Sequence, residues 1–247
     1  EKYLAVRKVI AKHTNKALPP VPENRKKAAY GKFSASARAE LFENIENLSG
    51  PIFTEVPKCM EDYGAGYGYI AYRTQLNRDY ENVKISLESI GDRAQIYVND
   101  DFKGVVYVND PPYEVSFSAK RGDILSVVCE NMGRTNFGPK MMRKKGIAGR
   151  CLIDGKVHFG WKAYPLPMDN LEKLSYGDKT ADGAKTFYKF TFTLQGEPCD
   201  TFLKTDNFKK GFAVLNGFNL GRYWETGPQR TLYVPSSVLK EGENEMI

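Results

Sequence analysis

Histidine is almost missing from this chain. Only His13 and His158 occur in 247 residues. Neither has a serine or cysteine nearby in the setting of a nucleophile, so Ser/His/Asp and Cys/His sites are excluded as readings. His13 follows a helical stretch and reads as a surface residue. His158 sits beside Phe159 and Trp161 and reads as packed. Cysteine is also scarce. Cys59, Cys129, Cys151 and Cys199 lie far apart and form no C-x-x-C, which excludes a zinc ribbon or a thioredoxin-type motif. An even count permits disulfides in an exported protein, but the spacing asks for none, and the thiols read as free and buried. No run of about 18 apolar residues is present, so no helix is expected to cross a membrane. No signal peptide is visible. Strong charge is lacking as well. Thirty-six basic against 30 acidic residues leave +6, scattered along the chain. The densest basic cluster, Arg143-Lys144-Lys145, is short and reads as a solvated loop, so no nucleic-acid partner is expected.

What is present favours β-structure. Tyrosine and phenylalanine number 15 and 14, beside 22 glycines and 13 prolines. Aromatics suit strands, and Gly and Pro suit turns. Hydrophobic residues make up 41%, enough for a sizeable core in one or two domains of this length.

Residues 1–12 carry a helical pattern with Tyr3, Val6 and Ile10 on one face. That helix starts without an N-cap, as the tail of a preceding domain would. The tract Leu18-Pro19-Pro20-Val21-Pro22 then predicts an extended linker. Gly31-Lys32-Phe33 reads as an edge strand, and Glu40–Leu48 has helical spacing stopped by Ser49-Gly50-Pro51. From Gly66 onward, short alternating runs recur, with turn signals about every ten residues, the pattern of a sandwich or jelly roll. A second β run begins near Lys156, where Tyr188, Phe190, Phe192 and Leu194 alternate with polar residues. The domain expectation is therefore 1–29 as tail and linker, 30–155 as one sandwich, and 156–247 as a second whose last strand is cut short.

The two runs repeat each other. Ile96-Tyr97-Val98-Asn99-Asp100 with Gly104 parallels Ala213-Val214-Leu215-Asn216-Gly217 with Gly221, at a constant shift of 117 (216 − 99 and 221 − 104). Gly122-Asp123 parallels Gly242-Glu243 at a slightly larger shift. Asn216-Gly217 between apolar runs is a strong hairpin signal.

Chemistry is hard to find. Gly64-Ala65-Gly66-Tyr67-Gly68 precedes a strand and has the wrong spacing for a phosphate loop. Asp178–Gly183 opens like a calcium loop, but its twelfth position would be Lys189 and its flank is β. Neither a metal nor a cofactor is expected. Glu61-Asp62 and Glu197/Asp200 read as solvated carboxylates, not as the rigid pair that glycoside hydrolysis needs. Tyr223-Trp224 and Asn136-Phe137 could offer rings to a sugar, and each also fits aromatic core packing.

Several motifs share one resemblance. Leu215–Trp224, Gly227-Pro228-Gln229 and Thr231–Pro235 resemble the C-terminal domain of β-galactosidases of glycoside hydrolase family 35. Asp62-Tyr63-Gly64 with Tyr69 and Tyr72-Arg73-Thr74 resembles that family's first sandwich strand. Glu130–Gly138 resembles its "ENMGR-x-N-[YF]-G" segment, Lys145-Gly146-Ile147 its "KGI", and Gly160-Trp161-Lys162 with Tyr164-Pro165-Leu166 its join between sandwiches. The motifs stand in the family's order from about residue 55 to the end.

The resemblance implies an all-β chain of two galactose-binding-like jelly-roll β-sandwiches after a short N-terminal helix and a proline-rich linker. It implies an upstream (β/α)8 barrel, contacted within the same protein, that holds both catalytic glutamates and removes terminal β-linked galactose with retention. No catalytic residue is then assigned in this chain, and the chain by itself is expected to be inactive. The sandwiches would brace the barrel and border its pocket, with Asn136 and Phe137 as the substrate-facing residues. Between Gly138 and Lys145 the chain departs from its relatives, with Pro139–Lys144 where they tend to carry an acidic residue. Two other readings remain: a stand-alone carbohydrate-binding module, and a structural domain that docks a catalytic partner. The family points to an exported protein. Linkage, oligomeric state and compartment stay open.

Overall fold

The computed structural model describes residues 2–177 and 185–247. The calcium-like stretch Asp178–Gly183 lies outside the described residues. The chain is all-β with little helix and divides into two compact units, Ala35–Lys189 and Glu1–Ser34 with Phe190–Ile247.

In the larger unit, two sheets face each other. One has six strands in the order Ile52–Thr54, Trp161–Leu166, Tyr69–Gln75, Ile124–Glu130, Arg93–Val98, Asp101–Tyr107. The other has four, in the order Lys156–Val157, Cys151–Ile153, Tyr80–Leu87, Glu114–Ala119. Alternation decides which side chains meet between them. Tyr72, Ile96, Val98, Leu125 and Val127 come from the first sheet, and Ile85, Leu87, Phe117 and Ile153 from the second, in one buried cluster. The helix Leu41–Leu48 buries Leu41, Phe42, Ile45 and Leu48 and ends at Ser49, as its spacing predicts. The boundary expected at 155/156 falls inside this unit. Lys156–Val157 pairs with Cys151–Ile153, and Trp161–Leu166 pairs with Tyr69–Gln75. An alternating run announces a strand but not its partner, which here lies about ninety residues back along the chain.

The smaller unit is a second, lighter sandwich. Phe190–Leu194 pairs with Gly242–Met246, which neighbours the hairpin Lys210–Leu215/Phe218–Trp224. A two-stranded sheet, Thr201–Lys204 with Thr231–Val234, supplies the other layer. Leu194, Leu215, Val234 and Leu239 form its core. Gly31-Lys32-Phe33 is not a strand, contrary to expectation. Gly31 has φ +93, outside the extended region, and Phe33 instead stacks on Phe192 at 4.4 Å between ring centroids. The helix Lys2–Lys12 forms as its pattern predicts and buries none of its residues.

The repeat seen in sequence holds at the level of single hydrogen bonds. Ile96 pairs with Gly104 and Ala213 with Gly221, and in each hairpin the register shifts at the next residue. The same bulge thus occurs at the same place in both units. Asn99 and Asp100 have φ 47 and 71, and Asn216 and Gly217 have φ 50 and 82, as a type I′ turn requires. Asn99 Oδ1 accepts from the Ile124 amide at 2.9 Å, and Asn216 Oδ1 accepts from the Glu245 amide at 3.0 Å. Asn99 Nδ2 donates to Asp123 and Asn216 Nδ2 to Asn244. The structural partner of Asp123 is therefore Asn244, one residue beyond the Glu243 expected from the Gly-acid match.

Candidate functional site

The segment Glu130–Gly138 leaves the larger sandwich directly after the strand Ile124–Glu130, and its base is tied down by two carboxylates. Asp92 accepts from Lys145 Nζ through both oxygens, at 2.8 and 2.6 Å, and from the Met132 amide at 2.8 Å. Lys145 Nζ also donates to the Gly133 carbonyl. Glu61 accepts from Arg134 Nη1 at 2.7 Å and from the Lys145 amide at 3.2 and 3.1 Å. The Arg134 fork reaches further, to the Gly66 carbonyl through Nε and Nη2, and Asn131 Nδ2 bonds the same oxygen. Charge-assisted bonds of this kind are shorter and stronger than neutral ones. Lys145 is only 3% exposed. The expectation of a solvated basic loop thus fails at Lys145, because Asp92 and Gly133 supply acceptors that a solvated lysine would find in water. Burial raises the Glu61 carboxyl, but the Arg134 guanidinium and the backbone donors outweigh it and hold the group below its ordinary value.

Asn136 and Phe137 follow this base in the chain. Phe137 is 87% exposed, and Asn136 is exposed beside it. Phe137 is therefore not core, which removes the packing alternative for this ring. Met141 and Met142 add exposed apolar side chains nearby in the chain.

The other candidates fall into place differently. Trp161 is core, with Nε1 donating to the His158 carbonyl at 2.9 Å. Tyr223 and Trp224 are half-buried, with Lys210 Nζ 4.7 Å from the Trp224 ring centroid. Gly64 and Gly68 have φ +71 and +81 in a turn before the strand Tyr69–Gln75, consistent with the rejected phosphate loop. Glu197 is exposed as expected, but Asp200 is buried. Its carboxylate accepts from Tyr233 Oη and from the Ser236 amide, bonds whose donors lie over thirty residues downstream. All four cysteines are free thiols. Burial pushes the Cys151 thiol up to about 12 and the Cys129 thiol higher still, so neither is a nucleophile at neutral pH. No helix among the described residues is long and apolar enough to cross a membrane.

His158 is packed, as its neighbours predict, and its Nε2 lies 3.1 Å from Thr74 Oγ1. The Thr74 hydroxyl donates to the Gly160 carbonyl at 2.7 Å, which leaves its oxygen to accept a hydrogen bond from the imidazole N–H. Burial lowers the His158 pKa, and a backbone hydrogen bond at Gln75 opposes this in part. A depressed histidine favours folding above the unfolded value of about 6.5, and that contribution is lost as pH falls through the folded value. Denaturant unfolding from pH 7.5 to 5 should therefore show a loss of stability at the acid end that His158→Gln diminishes. Parallel pH curves for the two proteins would refute this role.

Two family models match the chain. "Beta-galactosidase, first all-beta domain" covers residues 57–167, and "Beta-galactosidase, galactose-binding domain" covers 185–244. Beta-galactosidase 1 of Dictyostelium discoideum is 33% identical across 100% of this chain and 42% of its own length. The Beta-galactosidase of Bos taurus is 30% identical over 97% of this chain and 40% of its own length. That of Xanthomonas manihotis is 37% identical over 78% and 32%. The chain thus spans less than half the length of these curated relatives. Among solved structures, a β-glucuronidase of Ruminococcus gnavus aligns at 13% identity over 89% of this chain and 40% of that one, with a TM-score of 0.33, too low to support a comparison. By the two domain matches and these relatives, the chain belongs to the β-galactosidase family, of which it carries the first all-beta domain and the galactose-binding domain.

Proposed function

We propose that this chain is the non-catalytic region of a retaining β-galactosidase of glycoside hydrolase family 35, and that its first sandwich borders the substrate pocket of a catalytic barrel elsewhere in the same protein. Two observations support the reading. The relatives are named β-galactosidases and are more than twice as long as the matched stretch. Among the described residues, Glu61 is engaged by Arg134 and the Lys145 amide, Asp200 by Tyr233 Oη and the Ser236 amide, and Glu197 stands in solvent.

The observation that carries the proposal is the loop with Phe137. Its ring is 87% exposed on a loop whose base is fixed by buried Lys145 and by Arg134, so it is available to a ligand from a defined position. An exposed ring with a neighbouring amide suits the aglycone side of a galactoside. In the intact enzyme, Phe137→Ala should raise KM by roughly three- to tenfold, equivalent to losing about 1 kcal/mol of ring contact, with kcat for the galactosyl group little changed. Unchanged kinetics over several aglycones would reject the placement of Asn136 and Phe137 at the pocket.

A further inference from the structure

The two-stranded sheet of the smaller unit carries two aromatic rings side by side on its outer face. Phe202 and Tyr233 are register partners, so their side chains share that face. Their neighbours in register, Leu203 and Leu232, turn inward, Leu232 fully buried and Leu203 against the core. The ring centroids of Phe202 and Tyr233 lie 5.6 Å apart, and the residues are 47% and 46% exposed. The ring planes are inclined by 56°, so the two rings form the walls of a shallow apolar surface that faces solvent, with Leu203 and Leu232 on the core side.

Cations surround it. Lys27 Nζ stands 5.5 Å from the Phe202 ring centroid, placed there by the pairing of Lys27 with Asp200. Lys204, exposed and opposite Thr231, is the next outward residue on the Phe202 strand. Arg25 is exposed and close enough to act electrostatically on both Asp200 and Tyr233. Three cations here face one local carboxylate, Asp200, so the face keeps a net positive charge. Asp200 is buried, and its two oxygens already accept from Tyr233 Oη and the Ser236 amide. Those bonds also fix the orientation of the Tyr233 ring.

Aromatic rings stack on the apolar C–H face of a pyranose, and a ring of cations selects substituents of negative charge. We propose that Phe202 and Tyr233, flanked by Arg25, Lys27 and Lys204, form a carbohydrate-binding surface for galactosides that bear sulfate or carboxylate groups. The choice of galactose rests on the β-galactosidase reading above, whereas the preference for an acidic glycan rests on the charge of this face.

The test uses the full-length protein. Sulfated galacto-oligosaccharides and their desulfated counterparts are titrated by calorimetry at low and at physiological salt, with inorganic polyphosphate as a second polyanion. The sulfated sugar should bind at least tenfold more tightly than the desulfated one, and salt should weaken it. Phe202→Ala should lower its affinity about tenfold, and Lys27→Gln with Lys204→Gln by a similar factor, with unfolding midpoints monitored for each variant. Equal binding of sulfated and desulfated sugar would overturn the proposal. So would polyphosphate binding as tightly as the sugar with no effect of Phe202→Ala, or no binding at all. Hydrolysis of a chromogenic β-galactoside is measured separately on the unmodified protein. Its absence would sink the function proposed above while leaving the binding result to stand or fall alone.

Discussion

Lys145→Met is expected to destabilise the protein by about 3–5 kcal/mol, the usual cost of removing one partner from a buried ion pair. The side chains of Lys145 and Asp92 are 4% and 13% exposed, and the ammonium touches both carboxylate oxygens. Methionine keeps most of the apolar stem, so little packing is lost. What remains is a largely buried carboxylate with the Met132 amide as its main donor. Asp92→Asn should cost a similar amount, since it strands the ammonium. Lys145→Arg is no repair, because a planar fork needs more room than a compact ammonium. The pair Lys145→Met with Asp92→Leu should recover most of the loss, since apolar groups of like volume often replace a buried ion pair without penalty. Urea unfolding gives all four values. A loss below about 1 kcal/mol for Lys145→Met would mean that water reaches the pair, and the account of the loop base would fail with it.

This pair also shows where sequence reading stops. Strands such as Tyr80–Leu87 and the helix Leu41–Leu48 follow from local periodicity, because one buried face dictates every second residue or every third and fourth. The double hairpin was legible for a similar reason. A type I′ turn restricts its residue types so strongly that Asn99-Asp100 and Asn216-Gly217 mark the same device twice. Lys145 carried no such mark. Its partner Asp92 is 53 residues away in sequence, and within Arg143-Lys144-Lys145 nothing local distinguishes the buried lysine from its neighbours. Asp200 was misread as solvated for the same cause, since its partner Tyr233 lies 33 residues downstream. Phe137 had the opposite problem. A lone phenylalanine in a loop reads equally as core or as surface, and only the fold separates the two.

The second large effect is expected at Gly146, the centre of the Lys145-Gly146-Ile147 motif. Its φ is +80, where a side chain costs about 1–2 kcal/mol. A Cβ built there would overlap Tyr72 Oη and lie 3.2 Å from Met60 Cγ and 3.3 Å from the Met60 amide. Tyr72 cannot yield easily. It is fully buried, and its hydroxyl donates to the Lys58 carbonyl and accepts from the Ile147 amide at 3.2 Å. Desolvation raises the Tyr72 hydroxyl well above its ordinary value, so it stays protonated and able to donate throughout the working range. Strain and overpacking together should make Gly146→Ala cost about 2–5 kcal/mol. The mechanism is separable from a mere backbone effect. Tyr72→Phe removes the overlapped atom and costs about 1–3 kcal/mol by leaving its two partners unpaired. If the overlap dominates, Gly146→Ala adds less in the Tyr72→Phe background than in the native one, by more than about 1 kcal/mol. Strict additivity would assign the whole loss to φ and would remove the steric reason for glycine beside Lys145. A coupled result would mean that the motif's glycine exists to let Tyr72 close the core under the loop that Lys145 holds.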